Sequence, residues 1–302
     1  MNKVDRFRGC LLGLACGDAV GTTVEFRPRG TFKPVVDMTG GGPFNLKPGE
    51  WTDDTSMALC MASSLVELDR FDARDMMERF CRWMDEGYLS SNGSCFDVGG
   101  TVDDALWRFK ETGEPFSGST DRFAAGNGCL MRLAPIPMFF HHDLEQVIER
   151  SGQSSRLTHG ARECVEATRL FGAMLFRALS GETKEAIMAT SGLPVGDCES
   201  VRAIAAGSYR SKTENGIRGS GYVIDSLEAA LWCFANTFTF EEAILRATNL
   251  GDDADTTAAI CGQLAGAHYG MAEIPQQWLD TLVMRDEIRG LADKLARPKD
   301  VQ

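Results

Sequence analysis

Gly9, Gly13 and Gly17 recur every four residues inside an otherwise apolar run, RGCLLGLACGDAVG, whose periodicity predicts a helix from Val4 to Val20. That spacing lines the three glycines along one helical face. Glycine weakens a helix relative to alanine, so such a stripe makes physical sense where a second backbone comes closer than a Cβ would permit. The first helix is therefore expected at the centre of the fold, with another element pressed against its glycine face.

Helical periodicity continues through the chain over residues 54–68, 73–86, 102–109, 144–151, 160–179, 182–190, 198–208, 222–236, 240–248, 253–269 and 286–296, and period-2 alternation is nearly absent. Three irregular stretches interrupt it: residues 21–50 with the breakers RPRG, GGGP and KPGE, then SSNGSCFDVGG, then GNGCLMRLAPIP. A loop as long as the first is often functional. No linker rich in proline, glycine or serine divides the 302 residues, and no repeat is visible. The expected architecture is one compact all-α domain spanning 1–302.

The formal net charge is −12. Such a surface repels a phosphate backbone, which argues against a nucleic-acid partner, and does not repel divalent cations. Ten cysteines are scattered singly from Cys10 to Cys261, with no C-x-x-C pair and no zinc spacing. They read as core thiols in a reducing compartment. Asp18 interrupts the one segment that resembles a signal peptide, and no run approaches the roughly 20 apolar residues of a membrane span. The expectation is a soluble, cytoplasmic monomer.

Two acidic knots carry the chemistry. Residues 52–56 read TDDTS and residues 251–257 read GDDADTT, each running into an apolar helix. One aspartate or threonine at a helix start is ordinary capping, and a cap needs a single acceptor oxygen. Asp53, Asp54, Asp253 and Asp255 bring four charges, and their convergence would demand neutralising cations. Oxygen donors without histidine or cysteine suit Mg²⁺ or Mn²⁺, with Thr52 and Thr256 as further ligands. DADTT also matches a D-x-D-x-T phosphatase nucleophile loop, but that loop follows a buried strand, whereas EEAILRATNLG reads as a helix ending at glycine. An EF-hand loop fails for lack of its glycine and its final glutamate.

The motifs GCLLGLACGDAVGTTVEF, WTDDTSMAL, FDVGGT, GNGCLMRLAPI, LTHG, GSGYVIDSLEAALWCF and LGDDADTTAAICGQLAGAHYG occur in that order. Together they resemble the ADP-ribosylglycohydrolase family, and most of all its bacterial branch typified by the dinitrogenase-reductase-activating glycohydrolase. The resemblance runs from about Arg6 to Gly270. It implies an orthogonal bundle of helices with two divalent metal ions, Mg²⁺ or Mn²⁺, in a central cleft, and hydrolysis of the bond between ADP-ribose and a protein side chain. The partner it implies is an ADP-ribosylated protein, with ADP-ribose as product.

Carried over by position, Thr52, Asp53 and Asp54 match one metal motif, and Asp253, Asp255 and Thr256 match the other. Asp252 stands where relatives often have glycine and is left out. Glu25 and Asp97 match acidic residues near the metals and are the candidates for proton transfer. By themselves Glu25, beside Arg27, reads equally as a surface ion pair, and Asp97 as a loop cap. The turns holding Gly99, Gly126, Asn127, Gly128 and Gly221 suit a pyrophosphate approached by backbone N–H groups, or are simply tight turns. Tyr222 is a candidate ring contact. His159, read as opening a helix, is assigned to substrate binding or its support. Gly100 stands where relatives often carry asparagine, and Ala125 where some serine-specific relatives carry an aromatic residue. The latter favours arginine as the acceptor; the alternatives are serine-linked or small-molecule ADP-ribosyl substrates, or a non-catalytic ADP-ribose-binding relative. Retention of all four aspartates argues against the last.

Overall fold

The structure, a computed structural model, describes residues 1–190, 192–193 and 196–297. Among them the chain forms fifteen α-helices joined by loops and short 3₁₀ turns, with isolated β-bridges and no strand. Helix α1 (Lys3–Gly21) precedes a long irregular segment, residues 22–52. Then come α2 (Asp53–Leu68), α3 (Ala73–Glu86) and α4 (Gly100–Thr112), followed by the short α5 (Gly128–Met131) and α6 (Pro135–Phe139). A hairpin of α7 (Leu144–Arg156) and α8 (Arg162–Leu179) leads to α9 (Lys184–Met188) and α10 (Glu199–Ala205). The chain closes with α11 (Val223–Ala235), α12 (Phe240–Thr248), α13 (Ala254–Tyr269), α14 (Gln276–Thr281) and α15 (Arg285–Leu295).

The glycine stripe of α1 has its partner in α13. A Cβ at Gly9 would fall on the carbonyl of Gly266, one at Gly13 on that of Gly262, and one at Gly17 on that of Ala258. The numbers descend as those of α1 ascend, so the two helices run antiparallel with their backbones in contact. Two further glycines of α13 meet the stripe from the other side, which is why the approach is so close. Continuing the register, Gly21 lies against the backbone of Ala254 and Asp255. This contact delivers the end of α1 to the second acidic knot. Helices α8, α11 and α12 pack around α13, and α15 and α2 pack against α1. The core is continuous, and all ten cysteines are free within or beside it.

Several boundaries differ from the sequence reading. The helix expected over 182–190 is only the five residues of α9, because Thr183 caps it and the chain turns at Ala189. The one expected over 198–208 ends at Ala205, after which Gly207 takes a left-handed φ of 81°. Helices α5, α6 and α14 leave no periodic signature in the sequence. They are four to six residues long, too short to show a period.

Residues 22–52 contain little regular structure but are firmly held. Phe26 N–H donates to the Asp252 carbonyl at 2.7 Å, and Asp252 N–H returns to the Arg27 carbonyl at 2.8 Å. The Arg29 guanidinium spans three carbonyls, those of Leu250, Glu214 and Ile217. Asn249 exchanges two bonds with the backbone of Val35. The loop is thus stitched to the segment that enters α13, which brings Glu25 beside Asp255.

Candidate active site

The two knots meet at the starts of two helices. Asp53 and Asp54 occupy the first turn of α2, and Asp253 and Asp255 flank the start of α13. Their threonines are cross-laced. Thr256 Oγ1 donates to Asp54 Oδ1 at 3.2 Å, and Thr52 Oγ1 lies 3.2 Å from Asp255 Oδ2. Glu25, in the turn after α1, and Asp97, in the loop before α4, complete the cluster. Oxygens of Glu25, Asp97 and Asp255 lie within 4.8 Å of one another.

Asp18, which the sequence reading used only to break an apolar run, organises this geometry. It is fully buried at the last turn of α1. Its carboxylate accepts from the N–H and hydroxyl of Thr52 (2.9 and 3.0 Å) and of Thr55 (3.0 and 2.6 Å). Thr52 makes no side-chain capping bond of its own. An aspartate from another helix therefore caps α2, satisfying amides that a helix start leaves open. The signal available in the sequence was an ionisable residue inside an unbroken apolar helix, which a membrane-free core tolerates only when it is fully hydrogen-bonded.

The electrostatics are severe. Burial first, and the neighbouring carboxylates second, hold Asp53, Asp54 and Asp255 well above the ordinary carboxylate range. Glu25 is pushed up to about 9 by burial and then by Asp97, and Asp97 to about 7 by burial and then by Asp18. Among the described residues no lysine or arginine forms an ion pair with any of them. Asp54 Oδ2 and Asp255 Oδ1 are buried without a hydrogen-bond partner. Orphaned carboxylate oxygens in a set of hard oxygen donors are what a divalent cation requires. The cluster fits a metal ion.

A cleft of about 260 Å³ opens over the cluster, lined among others by Glu25, Asp53, Asp97, Asp253, Asp255 and Thr256. Thr52 and Asp54 are not in its wall; they sit behind it, fully buried. Glu25 is only 3% exposed and Arg27 donates instead to the Thr31 carbonyl, so the surface ion pair is not formed. The side chain of Asp252 is exposed, as expected of a residue outside the site, while its backbone holds the loop.

The glycine turns also reach the cleft. Gly99, Gly126, Asn127, Gly128 and Gly221 line it, and Asn127 Nδ2 donates to Asp253 Oδ2 at 2.7 Å. A Cβ on Gly128 would lie 2.7 Å from His159 Cε1, and one on Gly126 3.2 Å from His159 Nε2. These two glycines are small because an imidazole is packed beneath them. His159 does not open a helix: it lies in the turn between α7 and α8, bridged to Ser119. It is buried, touches Thr158 Oγ1 through Nδ1 at 2.8 Å, and is kept neutral by burial and by Arg132, its pKa lowered to about 3. Beyond Gly126 and Gly221 the cleft meets a wider groove of about 700 Å³, lined by Arg122, Phe123, Arg162 and Tyr222. Tyr222 belongs to that groove, 38% exposed, with its hydroxyl on Glu163 at 2.8 Å.

Comparison with known proteins settles the family. The model of the ADP-ribosylglycohydrolase family matches residues 1–302. This chain is an ADP-ribosylglycohydrolase family member. Among its family relatives it is 45% identical to ADP-ribosylarginine hydrolase Tri1 of Serratia proteamaculans, over 97% of this chain and 79% of that protein. It is 33% identical to the ADP-ribosyl-[dinitrogen reductase] glycohydrolase of Rhodospirillum rubrum, over 96% and 95% of the two chains. A solved ADP-ribosylglycohydrolase-related protein complex superposes with a TM-score of 0.87 at 43% identity, covering 98% of each chain. The all-α fold and hydrolytic class read from the sequence are therefore those of the family, and among the described residues no helix is long and apolar enough to cross a membrane.

Proposed function

We propose that this chain, acting as a single domain, removes ADP-ribose from modified arginine side chains of proteins by hydrolysing the N-glycosidic bond. The observation that carries the reading is the cross-laced carboxylate cluster at the floor of a cleft that widens past Gly126 and Gly221. Its extent suits a ribose over the acids with the rest of a nucleotide in the groove. The 45% identity to a protein named as an arginine-directed hydrolase supports arginine as the acceptor.

Thr52, Asp53, Asp54, Asp253, Asp255 and Thr256 would hold two divalent cations, Mg²⁺ or Mn²⁺. Bound there, such ions supply positive charge for the ribose hydroxyls and acidify a bound water. The chain's own part is to orient and to move a proton. Asn127 fixes Asp253, Asp18 fixes Thr52, and the backbone turns at Gly99 and Gly221 leave room for phosphate oxygens. A Cβ on Gly99 would meet nothing within 4 Å, so that turn is open to a ligand. In the reaction the anomeric C–N bond breaks with oxocarbenium character and a water oxygen bonds to the anomeric carbon. One water proton ends on the departing guanidine nitrogen. Glu25 and Asp97, the cleft acids outside both knots, are positioned to relay it.

The test is release of ADP-ribose from arginine-modified protein with added Mg²⁺ or Mn²⁺. Wild-type chain should release it, and Asp255→Ala should lower the rate by at least about a thousandfold, consistent with loss of charge stabilisation at a reacting centre. Undiminished release by the variant, or by chelated wild type, would refute the reading.

A further inference from the structure

Three phenylalanines stand ring beside ring, starting from Phe26 in the cleft wall. The Phe26 and Phe44 rings lie 6.5 Å apart at 74°, and Phe44 and Phe96 lie 5.2 Å apart at 53°. Phe26 is 65% exposed, so it contributes little to the core, yet it lines the cleft. Two of the three rings adjoin cleft acids directly in sequence, Phe26 after Glu25 and Phe96 before Asp97. Phe26 and Asp97 both adopt left-handed backbone, with φ of 60° and 59°. Such a conformation is costly for a bulky residue and persists only where tertiary bonds impose it. The bond from Phe26 N–H to the Asp252 carbonyl is one of them. The fold therefore holds an exposed aromatic ring in a strained position beside the acids.

We infer that Phe26, Phe44 and Phe96 form the acceptor wall of the site, receiving the guanidinium of the modified arginine. This rests on the arginine reading above. None of the three rings lines the wider groove, which leaves the cleft past Thr101, Gly126 and Gly221. With the nucleotide directed into that groove, the side chain on the far side of the glycosidic bond must leave along another path, and Phe26 stands in the cleft wall outside the groove, with Phe44 and Phe96 ranged beside it. A guanidinium is planar and cationic and binds an aromatic face, whereas a serine side chain offers neither property. The trio thus selects the acceptor, while the carboxylates and the groove bind the ADP-ribose common to all such substrates.

The experiment compares wild type with Phe26→Ala, Phe26→Leu, Phe26→Tyr and Phe44→Ala in Mn²⁺. It measures kcat and KM on arginine-linked and serine-linked ADP-ribosyl protein, and inhibition by free ADP-ribose. The expected result is a rise in KM of about tenfold for the arginine-linked substrate in Phe26→Ala and in Phe26→Leu, which keeps apolar bulk but has no π face. Phe26→Tyr should retain the wild-type KM, Phe44→Ala should show a smaller rise, and inhibition by ADP-ribose should stay within about twofold throughout. An unchanged KM in Phe26→Ala, or a parallel loss of ADP-ribose inhibition, overturns the acceptor wall alone. Wild-type chain that leaves arginine-linked ADP-ribose in place overturns both the wall and the reading beneath it.

Discussion

Thr256 donates its hydroxyl hydrogen to Asp54 across 3.2 Å, joining residues 202 positions apart in the chain. With the mirror contact of Thr52 and Asp255, it makes each acidic knot depend on the other for its orientation. Thr256→Val keeps the shape of the side chain and removes the donor, leaving Asp54 without that partner. Apparent affinity for Mn²⁺ should fall by at least about 10–100-fold, the range for losing a support of a metal-binding side chain, because the variant removes both the support of Asp54 and a proposed ligand oxygen. Thr256→Ser should restore most of it. Metal titration followed by calorimetry distinguishes the two, and equal affinities in Thr256→Val and wild type would show the bond to be incidental.

Asp18 should be as consequential without touching the cleft. Four bonds converge on its buried carboxylate, and an asparagine in its place can accept at only one oxygen. Asp18→Asn is expected to lower stability by about 1.5–3 kcal/mol, the range for hydrogen bonds to charged groups. It should also weaken metal binding, because Thr52 loses its anchor. Thermal unfolding with and without metal provides the measurement. A stability loss with unaltered metal affinity would confine Asp18 to capping.

The acids make a signed prediction for pH. Asp18, Asp97 and Glu25 have folded values raised to about 6, 7 and 9. A raised value means the folded state binds protons more tightly, so the associated stability is complete below the unfolded values and is lost as pH rises through the folded ones. His159, lowered to about 3, acts the other way, and its contribution is complete above its ordinary 6.5. The raised carboxylates act together between pH 6.5 and 9, opposed by the Cys129 thiol, which is lowered to about 7, and the chelated protein should lose melting temperature across that window. Saturating Mg²⁺ or Mn²⁺ binds the deprotonated form and should flatten or reverse the slope. A chelated protein whose melting temperature rises from pH 6.5 to 9 would contradict the arrangement.

Two glycines in helices should respond oppositely to one substitution. At Gly17 a Cβ would collide with the Ala258 carbonyl, whereas at Gly290 in α15 it would meet nothing within 4 Å. Gly290→Ala should stabilise by up to about 1 kcal/mol through helix propensity alone. Gly17→Ala should destabilise by about 3 kcal/mol or prevent folding, since the contact is backbone on backbone and has no side chain to yield. Urea unfolding of both variants tests whether the stripe is a packing surface.

Periodicity made the helical character legible because 3.6-residue repeats are local, and the glycine stripe announced a close backbone partner for the same reason. The two acidic knots were legible because each is compact: adjacent carboxylates exceed what a cap requires, and the ordered motifs carried the family. Other features had no local signature. Asp18 looks like an interruption in an apolar helix until α2 is placed over it. The descending match of Gly9, Gly13 and Gly17 with Gly266, Gly262 and Ala258 appears only when α1 and α13 are set antiparallel. His159 reads as a helix start because the helical period resumes directly after it, and only its packing under Gly126 and Gly128 shows why those residues are small. The sequence by itself determined which segments become helices and which residues bring charge. Tertiary structure alone decided which oxygens face one another, because hydrogen bonds between residues 34 to 202 positions apart depend on helix register, which no local spacing records.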